Sequence, residues 1–467
     1  MSMLSRKGEV RSGRQLCMLS AAFVSLGSVR GSQLSLGASR SFTTGSPRTV
    51  ADRRLRSEPY TQRLHCHSPT RHSIISSATS PTTPVSEKTV VLPGRDGGVR
   101  LRSPLALGAW SFGDRLFWGT TPENDSREAL EASIEGGVSL VDTAEVYGFP
   151  PGRSETLLGR FLRERAPSGA STTDDTSVQL MTKFAPFPWR TAGLSADPRY
   201  ALAFLSTSAR RQQIRRSVRR ALEASLRRLQ RPHLEVYLQH WPSFAGDSDE
   251  PIWDALAEAY HDGLVRAVGV SNFAPRRFQK CLQYLERVHQ VTLACNQVSW
   301  SLLQRAPETE RARSDADDRT LLQMCRDSGT KLVAYSPLAQ GLLTGRYREG
   351  DEPRGARAGY ARTLLPRLSP LLRELEAIGR ERDKRIAAVA INYVLTAGEV
   401  TDARGDVQTL AIPLVGARNR QQAEANAQAL GWRLTPEEMA RLRRAAAQVG
   451  VTLPGIPIAR ESFDYGL

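Results

Sequence analysis

From residue 105 onward, short and almost unbroken apolar runs alternate with longer stretches whose apolar residues recur on one helical face. The runs are 105–108, 138–142, 179–183, 234–240, 265–270, 293–298, 331–335 and 409–415, eight in all. An unbroken apolar run suits a parallel strand covered on both sides, because neither face of it meets water. The stretches 123–137, 154–165, 212–229, 252–262, 275–288, 319–328 and 420–430 read as helices between them. In 212–229, Ile214, Val218, Leu222, Leu226 and Leu229 share a face and arginines occupy the rest. A last helix, 436–447, opens on Thr435-Pro436-Glu437-Glu438: a capping hydroxyl, a proline at the first position and acids in the first turn.

Strands that alternate with helices predict an α/β fold, here a (β/α)8 TIM barrel with extended βα loops and a C-terminal helix. The competing doubly wound sheet carries a GxGxxG turn after its first strand. Here that turn reads Gly108-Ala-Trp-Ser-Phe-Gly113, without the spacing. Three segments exceed ordinary loop length: 184–205, 338–368 and 397–408. The first two follow strand C-terminal ends, where barrels build their sites. The third precedes the last strand and reads as a surface insertion.

The formal net charge of +16 is unevenly spread. Residues 1–80 hold 12 Lys and Arg, 17 Ser and only Glu9, Asp52 and Glu58 as acids, a net +9; the other 387 residues carry a modest +7. Arginine-rich, serine-rich and acid-poor is the composition of an organellar transit peptide. Within it, residues 16–29 form an apolar stretch behind Arg6, Lys7, Arg11 and Arg14. It is too short to span a bilayer but suits a signal-peptide core, as two-step import into a plastid requires. A one-step plastid or mitochondrial presequence is the alternative. Residues 78–88 read as a linker, so 1–87 are expected to be a disordered targeting peptide and linker, and 88–467 the barrel. The dispersed arginines lack interleaved aromatics, which argues against nucleic acid. No run approaches 18 apolar residues, which argues against stable membrane insertion. Cys17, Cys66, Cys281, Cys295 and Cys325 form no CxxC pair, as expected of a reducing interior. The histidines of residues 88–467 form no HxH or HExxH cluster, so no metal is expected.

Polar residues that end apolar barrel strands read as chemistry. The second run ends in Asp142 with Tyr147 close behind, the third in Lys183 and the fourth in His240. Singly, each has a plain structural use: a helix cap, loop filler, a solvated lysine, a core histidine. Together at successive strand ends they converge on one rim and suit carbonyl reduction. Hydride delivery to a carbonyl builds charge on oxygen, which needs a proton donor. Tyr147 serves as that acid, Lys183 lowers its pKa, Asp142 fixes Lys183, and His240 orients the carbonyl by a hydrogen bond.

The segments Asp142-Thr-Ala-Glu-Val-Tyr147-Gly, Thr182-Lys183-Phe, Leu238-Gln-His240-Trp-Pro and Gly263-Leu-Val-Arg-Ala-Val-Gly-Val-Ser-Asn-Phe273 resemble the aldo-keto reductase superfamily. So do Asn296-Gln-Val, the run from Leu332 to Tyr347, and Ile412-Pro-Leu-Val-Gly-Ala-Arg418. The likeness runs from about residue 105 to 442, and in particular is to the plastid-targeted members from plants and algae. These also carry a Phe-Pro-Trp-Arg-like run such as 187–190. The resemblance implies a barrel that uses NADPH without a Rossmann domain, with Asp142, Tyr147, Lys183 and His240 as the catalytic tetrad. Ser271, Asn272 and Gln297 match positions that hold the nicotinamide carboxamide, and Tyr335 the aromatic stacked on its ring. Ser336 and Leu338 match residues lining the pyrophosphate; Gly416, Arg418, Gln422 and Asn426 match adenosine-end positions. Arg418 or Arg420 would neutralise a 2′-phosphate, favouring NADP. Two departures stand out: Ala425 precedes Asn426 where relatives carry an acid, here one place earlier as Glu424, and Ser299-Trp300 follow Asn-Gln-Val where tyrosine is common.

Trp110, Phe117, Trp118, Trp189, Trp241 and Trp300 are candidates for a pocket favouring apolar or aromatic aldehydes. The expected function is NADPH-dependent reduction of a small-molecule aldehyde or ketone, such as a reactive carbonyl or pyridoxal, in the plastid stroma or alternatively a mitochondrion. Two other readings remain open. One is a cofactor-sensing subunit like the channel-associated aldo-keto reductases. The other is a lyase or aldolase forming a Schiff base at Lys183.

Overall fold

The eight expected strands are present, and each pairs in parallel with its neighbours. A computed structural model describes residues 89–165, 178–187, 207–243, 249–311, 318–347, 350–351, 358–401 and 406–450. The expected targeting segment, Trp189 and most of the 184–205 loop lie outside these. The barrel strands are β3 (Ala106–Gly108), β4 (Leu140–Asp142), β5 (Gln179–Phe184), β6 (Leu234–Gln239), β7 (Val265–Ser271), β8 (Leu293–Ser299), β9 (Lys331–Tyr335) and β12 (Ala411–Gly416). They close in the order β12-β3-β4-β5-β6-β7-β8-β9. The closing seam pairs Gly416 with Gly108.

The helices fall where the periodicity places them: α1 (Glu123–Glu135), α2 (Arg153–Arg165), α3 (Thr207–Leu229), α4 (Glu250–His261), α5 (Pro275–His289) and α6 (Leu321–Ser328), with α9 (Arg420–Ala427) and α10 (Pro436–Val449) at the end. Two further helices, α7 (Ala358–Glu381) and α8 (Ile386–Ala397), fill the chain between β9 and β12. The expected loop 338–368 is therefore shorter. Pro366 and Pro370 lie inside α7, where they hide its helical pattern. The expected insertion at 397–408 is an antiparallel ribbon of β10 (Glu399–Thr401) and β11 (Val407–Thr409). No helix among the described residues is long and apolar enough to cross a membrane.

A hairpin that the sequence reading did not foresee precedes the barrel: β1 (Val90–Leu92) pairs antiparallel with β2 (Val99–Leu101). Its Val90, Leu92, Val99 and Leu101 join one apolar cluster with the barrel-interior residues Ala106, Leu140, Met181, Val236, Ala267, Val333 and Ile412. Arg95 in its turn donates to the carbonyls of Tyr260 (2.6 Å) and His261 at the end of α4, the end that feeds β7. The hairpin thus floors the barrel at the strands' N-terminal ends. A second, larger apolar layer lies between strands and helices.

Inside the barrel the packing leaves no spare volume at Gly269. A Cβ there would lie 2.5 Å from Leu238 Cδ2 and 2.8 Å from the Cys295 carbonyl oxygen. Gly269→Ala is expected to destabilise the protein by about 1–3 kcal/mol through overpacking, measured by urea unfolding. A neutral result would mean that the interior is loose at this level.

Candidate active site

The barrel register sets the rim. Asp142 closes β4 opposite Met181, and Lys183 lies in β5 opposite Leu238. His240 directly follows β6, its N–H donating to the Phe184 carbonyl at 2.8 Å. The Gln239 side chain, which donates to Asp249 Oδ1 at 2.9 Å and accepts from Trp253 Nε1 at 3.1 Å, anchors the chain beside it. Tyr147 reaches the same place by a tight turn, its N–H on the Ala144 carbonyl at 3.0 Å. Gly148 makes that turn possible: its φ is +83°, and a Cβ would sit 2.7 Å from Arg153 Cβ.

All four side chains meet. Lys183 Nζ donates to Asp142 Oδ2 at 2.7 Å and to the Thr143 carbonyl at 2.8 Å. Its third neighbour is the Tyr147 hydroxyl at 3.5 Å. That hydroxyl is also 3.5 Å from His240 Nε2. Gln297, from the opposite wall, donates to Asp142 Oδ1 at 3.0 Å, a link the sequence reading had not foreseen. Lys183 is 0% exposed and Asp142 2%, so the pair is fully withdrawn from solvent.

Burial dominates the electrostatics. It pushes the Asp142 carboxyl up and the Lys183 ammonium down, each opposed by the other's charge. It also holds the Tyr147 phenol well above its ordinary value, and the Asp142 charge adds to this. The expected depression of this phenol by Lys183 is therefore outweighed. Burial, followed by the Lys183 charge, keeps His240 well below its ordinary value. At neutral pH the site thus holds a protonated phenol beside a neutral imidazole. His240 Nδ1 is buried without a partner, so Nε2, facing Tyr147, is the nitrogen available to a ligand.

One cavity of about 380 Å³ opens beside this cluster. Its wall runs from Asp142, Tyr147 and His240 past Ser271, Asn272 and Gln297 to Tyr335, Ser336 and Leu338, then to Gly416, Arg418, Gln422 and Asn426. Lys183 is absent from the wall. An amine so enclosed cannot present itself to a substrate, which removes support from the Schiff-base reading. The Tyr335 hydroxyl donates to Asn272 Oδ1 at 2.9 Å, and Asn272 Nδ2 donates to the His240 carbonyl at 3.1 Å. Ser271 Oγ donates to the Gln297 carbonyl at 2.9 Å. Asn272 and Ser336 both have positive φ, 63° and 56°, backbone strain of a kind that clusters at ligand sites.

At the far end, Arg418 is braced by Thr121 Oγ1 at 3.0 Å, and its N–H by Gln422 Oε1 at 3.0 Å. Arg420 does not line the cavity. Its guanidinium is bound to Glu135 at 2.6 Å and to Glu424, away from the cavity. Of the aromatic candidates, Trp110 and Trp118 line the wall. Phe117 stacks behind Trp110 at 4.8 Å. Trp300 is wholly buried, its Nε1 on Glu308, and Trp241 packs against Phe187. Both are anchors. The sequence reading gave no role to Arg346 and Arg385, which also line the cavity; neither ends a strand. Among the described residues, no group of three or more His, Cys, Asp or Glu could hold a metal.

A (β/α)8 barrel that gathers a carboxylate, an ammonium, a phenol and an imidazole beside one deep cavity has the architecture of a small-molecule enzyme. Residues 104–447 match the aldo/keto reductase family. The chain is 35% identical over 353 residues to the chloroplastic pyridoxal reductase of Arabidopsis thaliana, covering 74% of this chain and 84% of that one. It is 27% identical over 356 residues to the NADH-specific methylglyoxal reductase of Escherichia coli (strain K12), across 74% and 94% of the two chains. A solved glycerol dehydrogenase from Gluconobacter oxydans matches with a TM-score of 0.58 and 26% identity, over 77% of this chain and 95% of that one. The chain belongs to the aldo/keto reductase family of oxidoreductases.

Removing one member of the buried ion pair leaves the other charge uncompensated. Lys183→Met is expected to cost about 3–5 kcal/mol of stability, and adding Asp142→Leu should restore most of it. Urea unfolding of both variants checks this. A fully additive double variant would show that the two groups do not interact.

Proposed function

We propose that this chain is an NADPH-dependent reductase of aldehydes or ketones that acts in a plastid. The observation that carries the reading is the Tyr147 hydroxyl, 3.5 Å from both Lys183 Nζ and His240 Nε2, at the wall of the cavity. The cavity fits the cofactor. It has amide groups at one end, from Asn272 and Gln297, and the Arg418 guanidinium at the other. Asn272, Ser271 and Gln297 would hold the carboxamide, the Tyr335 ring would lie against the nicotinamide, and Ser336 and Leu338 would border the pyrophosphate. Gly416, Gln422 and Asn426 would border the adenosine, and Arg418 would take the 2′-phosphate. When bound, the nicotinamide supplies the hydride.

The chain's own residues supply the rest. Tyr147 Oη gives its proton to the carbonyl oxygen as negative charge builds there. Lys183 stabilises the phenolate left behind, and Asp142 holds Lys183 in place. His240, neutral, donates from Nε2 to the same oxygen and orients the carbonyl. Trp110 and Trp118 offer a flat aromatic wall, with Trp110 5.6 Å from the Tyr147 ring. Such a wall favours an aromatic aldehyde. The likeness to a pyridoxal reductase supports a vitamer aldehyde such as pyridoxal. The arginine- and serine-rich leader and the chloroplastic relative support the plastid.

Tyr147→Phe is expected to lower kcat about 10²–10⁴-fold while NADPH binding, followed by fluorescence titration, stays unchanged. The acid must begin protonated and the imidazole neutral. The directions of their shifts meet both needs across the neutral range, so the wild-type kcat should be nearly flat over roughly pH 6–9. A fall in kcat centred near neutrality contradicts the assignment. Tight NADPH binding without turnover of any carbonyl would favour the cofactor-sensing subunit instead.

Coenzyme choice is tested separately, since one relative is NADH-specific. Arg418→Gln is expected to weaken NADPH about tenfold or more and to leave NADH nearly unaffected. Equal losses for both coenzymes would remove Arg418 from the 2′-phosphate.

A further inference from the structure

A histidine ring that must point one nitrogen at a reacting group is commonly held through the other nitrogen. His240 has no such brace. Its Nδ1 is buried and finds no hydrogen-bond partner among the described residues. The ring lies 4.5 Å from that of Trp241 and 5.6 Å from that of Tyr147, contacts without a directional donor or acceptor. Its aim therefore falls to the backbone that carries it. The N–H and carbonyl of His240 are taken by the Phe184 carbonyl and Asn272 Nδ2, which fix where the chain leaves β6. Where it goes next is set from outside the cavity.

One buried carboxylate holds the chain on both sides of His240. Asp249, 2% exposed, accepts at Oδ1 from Gln239 Nε2 at 2.9 Å and from the Ser243 N–H at 2.8 Å. The same Gln239 amide donates to the Trp241 carbonyl at 3.0 Å, so the residues before and after His240 are bound to one group. Asp249 Oδ2 takes Arg277 Nε at 2.8 Å, which pairs the buried charge. Asp249 forgoes a local role to do this. It is the N-cap of α4, where aspartate is among the preferred residues because its carboxylate can accept from first-turn N–H groups. Here the side chain makes no capping bond, and the backbone is helical at φ −72° and ψ −10°. Thr320, Asn419 and Thr435 do cap their helices. A good capping residue turned away from its own helix points to a use elsewhere.

Resting on the role proposed above for His240, we infer that Asp249 is its positioning residue: through Gln239 and Ser243 it aims an imidazole that has no brace of its own. The test is a double-substitution cycle on the full chain, comparing wild type, Asp249→Ala, His240→Ala and the two together. Turnover is read from NADPH oxidation with pyridoxal, benzaldehyde and methylglyoxal, and NADPH binding from fluorescence titration. Asp249→Ala should lower kcat about 10–10²-fold and leave the Kd for NADPH within about twofold. His240→Ala alone should cost about 10²–10³-fold. Adding Asp249→Ala to it should cost nothing further, because the group to be aimed is gone. A carboxylate with a merely structural role would lower kcat by the same factor in both backgrounds. That result overturns the inference alone, as does a wild-type kcat in Asp249→Ala. Should Asp249→Ala not fold, Asp249→Asn, of the same size with one accepting oxygen fewer, takes its place and the same comparison decides. A wild type that reduces none of the three carbonyls, or His240→Ala with full kcat, overturns the underlying reading and the inference with it.

Discussion

The contact between Lys183 Nζ and Asp142 Oδ2, 2.7 Å long and closed to solvent, governs the rest of the site. Burying two charges costs several kcal/mol per ion, and a pair repays this only with good geometry and further hydrogen bonds. The barrel supplies both. On adjacent strands, Asp142 ends β4 opposite Met181 and Lys183 lies two residues further along β5; the Thr143 carbonyl takes a second ammonium proton, and Gln297 occupies the second carboxylate oxygen. The pair in turn gives Tyr147 and His240 a fixed charge to face. Apolar substitutes could fill the same space, but they would leave the Tyr147 hydroxyl without the ammonium it faces at 3.5 Å.

A second polar layer lies behind this one. Glu155, 0% exposed, accepts from Thr182 Oγ1 at 2.6 Å and from Arg228 Nε at 2.6 Å. Thr182 precedes Lys183, so the network locks β5 to α2 and α3 immediately beside the buried lysine. Thr143 and Ser154 share a hydrogen bond of 2.9 Å, and Ser154 donates to the Ala109 carbonyl at 2.8 Å. These bonds tie the turn carrying Tyr147 to the first βα loop, where Trp110 begins the aromatic wall. Loops with so many internal partners position side chains as firmly as strands do.

Much of this was legible in the sequence because the relevant signals were local. An apolar run broken at its C-terminal end by Asp142, Lys183 or His240 announces both a barrel strand and a rim residue. The hairpin escaped because its three-residue strands stand outside the alternation of strand and helix that marks the barrel strands. Helix α7 escaped because its two prolines imitate a loop. The bond from Gln297 to Asp142 spans 155 positions, and no spacing rule reaches that far. Arg418 and Arg420 were indistinguishable in one dimension. Residues two apart at a helix start point to different sides, so one enters the cavity and the other meets Glu135. The tryptophans divided on burial, which composition does not report.

The seam between β12 and β3 has a consequence for how the molecule is made. Ser111 and Ala417, joined by a hydrogen bond of 3.5 Å across that seam, are 306 positions apart. Until the last strand arrives, the growing sheet has two bare margins, at β3 and β9, whose main-chain groups solicit any passing strand. Any state in which β12 has not yet paired with both neighbours therefore offers edges on which a second copy could add a strand.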